Sequence, residues 1–334
     1  MMKNIPILLL ATERSGTNLL RAIMSSHSRI ASPSPFSMVD GMAGSIYKYF
    51  GNAGNHHFNE LIEDAIKLTQ SHLNPWPMEF SPEAVKQKAE VQSFWEVFRA
   101  LNELYTESEQ KQHWFSKEPG LFHHIYELAL HMPDAKFVYM VRDPRDVAAS
   151  MVQGGVHEQN VYNAARRWRD EQRICLNASR DPLLQDRLFV MNYEALLDDS
   201  EGLVRRLMDF LALDFEPRQL EFYKDEKVVA HAEKSQFWQN LSKPIDRGNK
   251  GRYKSKLTGQ QLKVIESLCW DEMKAHGYAP ESEGPAKIHA YQRIYYRAHG
   301  LIKKVMQERG FSAEARKHRK RRQASSAIGN RRFD

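Results

Sequence analysis

The most constraining stretch of this 334-residue chain is its beginning. Ile5 to Ala11 is a short, nearly continuous apolar run, which fits a strand buried on both faces of a parallel sheet. A Ser-Gly-Thr turn follows at 15–17, and then Leu19, Leu20, Ile23 and Met24 recur at helical spacing. Strand, tight turn and helix in that order point to an α/β architecture. A glycine turn ahead of a helix also exposes free backbone N–H groups beside the positive end of the helix dipole, which together make an anion site. Arg14 adds a charge able to fork onto two oxygens. A plain tight turn is the other reading of this stretch taken alone.

Further along, Lys136 to Val141 and Leu188 to Met191 read as two more buried strands. Helices are predicted from about Arg145, over Glu158 to Ser179, and over 200–212 and 259–276. Residues 41–112 look helical and irregular, with no β-rich run. Short buried strands alternating with helices predict a P-loop-like central parallel sheet with helices on both faces. The organisation expected is one domain over 1–280, carrying a helical acceptor-binding insertion at 38–115. A C-terminal extension over 281–334 follows: a Glu/Ser/Gly/Pro linker at 281–287, an amphipathic helix from Ile288 to Gln307, and a basic tail.

Composition narrows the function classes. No apolar run approaches the roughly 18 residues of a spanning helix. The apolar run at Pro6 to Ala11 is too short for a signal-peptide core, so a soluble cytoplasmic protein is expected. The net charge is +6, but residues 311–334 hold eight Lys and Arg against two Asp and Glu. Of the chain's 48 basic and 42 acidic residues, that leaves 40 of each in the body. The excess belongs to the tail, and a basic pI is no argument for nucleic-acid binding by the body. Cys175 and Cys269 each sit on an apolar helical stripe and read as core thiols; no metal-ligand cluster is visible.

A second motif runs from Val141 through Arg142, Asp143, Pro144, Arg145, Asp146 and Val147 to Ser150. An arginine directly after a buried strand lies at the carboxyl edge of the sheet, where open α/β folds bind ligands. Asp143 suits the cap and Pro144 the first position of the next helix, and Ser150 lies two turns along it. Arg142 with that hydroxyl is a sensible pair for a phosphate; simple capping and bridging is the other reading. A nucleotide kinase is the rival enzyme. Its P-loop wants a glycine where Ala11 stands and a lysine where Thr17 stands.

Together the two motifs resemble the PAPS-dependent sulfotransferase family, whose donor is 3′-phosphoadenosine 5′-phosphosulfate. Arg14-Ser15-Gly16-Thr17-Asn18-Leu19-Leu20 is similar to the family's P-[RK]-S-G-T-[TN]-L-L, and Val141 to Ser150 to its V-R-[DN]-P-R-D-V-x-x-S. Lys117-Glu118-Pro119, Tyr193-Glu194-Ala195-Leu196 and Gly251 to Thr258 resemble further family stretches in the right order, so the likeness runs from about residue 5 to 279. It implies that Ser15, Gly16, Thr17 and Asn18 cradle the 5′-phosphosulfate. It implies that Arg142 and Ser150 hold the 3′-phosphate and that Lys250, Gly251 and Arg252 close over it. Tyr193 is either an adenine contact or an ordinary buried tyrosine.

The chemistry implied is in-line sulfuryl transfer without a covalent enzyme intermediate and without a metal, with Arg14 and Lys117 stabilising developing charge. The base is not marked. Where members resembling the tyrosylprotein enzymes carry a glutamate, this chain has Ser32-Pro33-Ser34-Pro35-Phe36. Cytosolic small-molecule members use a mid-chain histidine. The candidates are Asp40, His56, His57, Glu118, His123 and His124, and His124, close after Lys117, is the residue assigned. Glu13 departs from the family lead-in and either points outward or pairs with a basic residue. The segment from Met38 to Phe115, with Trp76, Trp95, Trp114, Tyr47, Tyr49 and Phe50, is expected to shape a pocket for a carbohydrate or other hydroxyl compound. The tail Arg316 to Arg322 is a solvated end or holds an anionic polymer or membrane surface. A non-catalytic polyanion-binding protein is the rival from another class.

Overall fold

The computed structural model describes residues 4–50, 57–71, 73–154, 158, 160–236, 238–308 and 327–328. Five strands, β1 (Pro6–Leu10), β2 (Ile30–Ala31), β3 (His113–Ser116), β4 (Lys136–Val141) and β5 (Leu188–Asn192), form one sheet in the order β2-β3-β1-β4-β5. Every pairing is parallel; Leu8 faces Phe137, and Val138 faces Phe189. β1 is central and buried throughout. Successive strand residues point to opposite faces. Leu8 and Leu10 therefore join one core, while Ile7 and Leu9 join the other. This is why the opening run is apolar without alternation.

The second core is covered by α1 (Thr17–Ser25), α9 (Tyr193–Asp198), α10 (Ser200–Phe210) and α11 (Glu226–Ala232). The first carries α2 (Met38–Met42), α3 (Phe58–Ser71), α4 (Pro82–Lys88), α5 (Phe94–Ser108), α6 (Ile125–His131), α7 (Pro144–Gly154), α8 (Val161–Ser179) and α12 (Gly259–Ala275). The expected parallel sheet with helices on both faces is thus the fold. β2 and β3 are additions to the sequence reading: one is two residues long, the other begins with histidine and ends with serine.

Local chemistry sets the helix ends. Ser93 and Asn160 cap α5 and α8 by accepting backbone N–H bonds, and Thr258 with Gln261 forms a capping box on α12. Cys175 and Cys269 are buried thiols. The 281–287 segment is fastened at its start, because the Glu266 carboxylate accepts the N–H groups of Glu281 and Ser282, both at 2.8 Å. Beyond it runs α13 (Ala290–Glu308), whose Tyr296 stacks on Tyr162 of α8 at 5.3 Å. The Arg316–Arg322 cluster and His56 lie outside the described residues.

Candidate active site

β1 and β4 are neighbours, yet the chain reaches β2 and β3 on one side of β1 and β4 and β5 on the other. Their carboxyl ends therefore meet at a topological switch point, the place where such sheets bind ligands. A cavity of about 600 Å³ opens there. Arg14, Gly16, Thr17, Asn18, Lys117, Arg142, Ser150, Tyr193 and Arg252 all line it, together with Glu13, Asp146, Asn249 and Lys256.

The turn after β1 is left-handed twice, at Arg14 (φ 71°) and at Gly16 (φ 88°). Gly16 is required for a second reason: a Cβ there would lie 2.2 Å from Cδ2 of Tyr193. The tyrosine ring thus rests directly on the turn. α1 begins without a side-chain cap and without an acid in its first turn, so its N-terminal donors and dipole stay available for an anion. Ser15 is fully buried, and its Oγ has no hydrogen-bond partner among the described residues.

Arg142 organises the opposite wall. Its Nη1 donates to the Arg14 carbonyl (3.1 Å), its Nη2 donates to the Asn249 carbonyl (2.9 Å), and its guanidinium lies 4.4 Å over the Tyr193 ring. Its Nε is buried without a hydrogen-bond partner among the described residues. Arg14 Nε donates to Ser150 Oγ at 3.0 Å, so both arginines and the serine converge on one spot. Asp146 accepts from the backbone N–H groups of Gly251 (2.7 Å) and Tyr253 (2.8 Å), which ties the 249–253 loop to the start of α7. Asn249 adds a bond from Nδ2 to the Tyr193 hydroxyl (2.8 Å). Arg145 takes no part in the cavity; it forks onto Asp143, pairs with Glu266 and covers the Tyr253 ring.

The electrostatics suit an anion. Burial pushes the Arg14 guanidinium below its ordinary pKa; Glu13 opposes that, and Arg142 adds to it. Lys256 is likewise lowered, first by burial and then by Arg252. A bound anion relieves this crowding of cations.

The structure separates the predicted residues. Lys250 points away to an ion pair with Asp198, and the Gly251 N–H is committed to Asp146, so of the three loop residues Arg252 alone lines the cavity. His124 does not line it: its Nδ1 faces Glu127 at 3.2 Å and its ring packs 5.2 Å from Trp95. Glu118 is a structural acceptor for the N–H groups of Phe36 (2.6 Å) and Ser37 (3.2 Å). Glu13 both lines the cavity and pairs with Arg167 of α8 at 2.8 Å. None of the expected aromatics of 38–115 lines this cavity: Trp76, Trp95, Trp114 and Tyr49 are core residues, and the cavity's aromatic lining is Tyr193, Phe222 and Trp238. Asn249 and the wall at Gln236 and 238–246 went unread, because short turns and irregular backbone carry no periodic signal. Asp146 lay in full view inside the second motif.

A parallel sheet with a strand–turn–helix cradle facing an arginine across its switch point defines an α/β protein whose cavity suits an anionic ligand. The chain matches the Sulfotransferase family over residues 6–217 and belongs to it. Among solved structures it is similar to the sulfotransferase domain from the curacin biosynthetic pathway. That match has a TM-score of 0.56 and 20% identity, covering 83% of this chain and 99% of that one. It is also similar to the sulfotransferase domain of the Synechococcus PCC 7002 olefin synthase, with a TM-score of 0.53 and 20% identity over 80% and 95% of the two chains. An uncharacterized protein of Aquifex aeolicus (strain VF5) is 24% identical over 238 residues, 68% of this chain; the match spans 28% of that relative's length.

Proposed function

We propose that this sulfotransferase takes its sulfuryl group from 3′-phosphoadenosine 5′-phosphosulfate (PAPS) and passes it in one in-line step to an acceptor hydroxyl, on a carbohydrate or small molecule. The observation that carries the reading is the convergence of Arg14, Arg142 and Ser150 beside an uncapped helix N-terminus. The residues present fit the donor. The buried Arg142 Nε and Ser15 Oγ have no protein partner among the described residues, and unpaired buried polar groups are costly unless a ligand or water satisfies them. Ser15 to Asn18 and the first turn of α1 would hold the 5′-phosphosulfate. Arg142, Ser150 and Arg252 would hold the 3′-phosphate, and Tyr193, which lines the cavity, would flank the adenine.

In the transfer, the acceptor oxygen forms a bond to sulfur as the bond from sulfur to the phosphate oxygen breaks. The electron pair leaves with 3′-phosphoadenosine 5′-phosphate (PAP). Arg14 and Lys117, which both line the cavity, would stabilise charge on the sulfuryl oxygens and the leaving phosphate, and such preorganised donors are worth several kcal/mol each in a dry site (roughly 3–4). The acceptor proton goes to a carboxylate. Of the acids lining the cavity, Asp146 and Asp246 hold backbone N–H groups, while Glu13 faces the cavity next to Arg14. Arg167 orients Glu13. This reading replaces His124, whose ring faces Glu127.

The test is calorimetric binding of PAP to the wild type and to Arg142→Ala. Micromolar binding that collapses in the variant is the expected result. No binding by the wild type, with ATP and magnesium bound instead, would overturn the reading in favour of a kinase. Binding of polyanions alone would favour a non-catalytic protein.

A further inference from the structure

Helix α13 carries half of the exposed large apolar side chains of the described surface. Tyr291, Ile294, Tyr295, Leu301, Ile302 and Val305 are each at least half exposed. At 3.6 residues per turn they fall within one arc of roughly 120°, the width of a face meant to be buried. That arc is not the one resting on the body. The body contact uses Tyr296, stacked on Tyr162, whose carbonyl accepts from Asn160 Nδ2 at 2.8 Å. It also uses Gly300, where a Cβ would come within 2.6 Å of Asn163 Nδ2.

The far edge of the apolar arc is cationic. Arg293 and Arg297 are exposed there, Lys303 and Lys304 follow in the sequence, and Glu308 is the helix's single acid. Eight to fourteen residues beyond Glu308, six of the seven residues from Arg316 to Arg322 are Arg or Lys. A second copy of the chain would bring like charges together along this seam. An anionic lipid surface supplies both an apolar layer for the stripe and phosphates for the cations. Among the described residues no helix is long and apolar enough to cross a membrane, so α13 would lie in the plane of the interface.

We infer that α13 docks this protein on an anionic membrane surface. The full-length chain is sedimented with phosphatidylcholine vesicles, with and without phosphatidylglycerol. Binding is expected on the mixed vesicles, weakening as salt rises. Ile294→Glu with Leu301→Glu is expected to weaken it at least tenfold while PAP binding is retained. Arg293→Glu with Arg297→Glu is expected to weaken it roughly fivefold or more per cation, from the usual contribution of a cation near such a surface. Should the stripe variant fail to fold, Tyr295→Trp reports independently: its emission shifts to the blue on mixed vesicles. No binding to mixed vesicles, equal binding to neutral ones, or a solution dimer abolished by the stripe variant would each overturn the inference.

Discussion

Replacing Gly16 with alanine tests whether the tyrosine-roofed turn is the anion cradle. Alanine pays about 1–2 kcal/mol to hold the left-handed φ of 88°. Its Cβ would also sit 2.2 Å from Cδ2 and 2.3 Å from Cε2 of Tyr193. Carbon contacts settle at roughly 3.5–4 Å, so the ring must move by more than an ångström. Tyr193 is 3% exposed and pinned by Asn249 below its hydroxyl and Arg142 over its face. Moving it forfeits the hydrogen bond, about 1 kcal/mol, and the cation–π contact, about 1 kcal/mol. The total of about 3–4 kcal/mol should lower the thermal midpoint by roughly 5 °C or more. PAP affinity should fall at least about tenfold, because Arg142 loses its seat. Thermal denaturation and calorimetry measure both. Adding Tyr193→Ala removes the clash, so the double variant should cost about 1–2 kcal/mol less than the sum of the singles. Strict additivity, or a Gly16→Ala protein with wild-type stability and affinity, would refute the argument.

Asp146→Asn leaves one of the Gly251 and Tyr253 N–H groups without its acceptor; about 1–3 kcal/mol is lost, and limited proteolysis should then nick the 247–256 loop. The lowered pKa of Lys256 makes anion binding take up a proton, so PAP affinity should fall with rising pH below the usual lysine range, and Lys256→Met should flatten that limb of a calorimetric pH series. His113 is buried, accepts the Ile5 N–H on Nδ1 at 3.1 Å, and is depressed to about 4 by burial and Arg29. Its folded form prefers to stay neutral, so stability should drop as pH falls from about 6.5 to about 4, by up to about 3 kcal/mol, and level off below. His113→Asn keeps the acceptor and should remove that slope from urea denaturation curves.

The halves of the site that follow strands were legible. The buried runs at 5–11 and 136–141 end in residues whose chemistry is local: a glycine needing a positive φ, and an arginine at a sheet edge. What closes the site was not. The Trp238 and Phe222 wall comes from irregular chain with no period. The tryptophans of the 38–115 segment instead pack among Phe36, Phe98 and Tyr105, where the large apolar area they remove from water outweighs exposure to a ligand. Strand β2 is too short to announce itself, and Glu118 reads as a base until its two backbone bonds are seen.

The loop at 249–253 is held by Asp146, by Arg142 and by Tyr193 at once. Such a triple latch leaves little for that side to do when a ligand comes and goes: the loop is braced from three directions before anything binds. Exchange of a bound ligand is then not a task for this loop. Substitutions at Asp146, which free the loop, should therefore shorten the residence time of a bound anion as well as weaken its affinity.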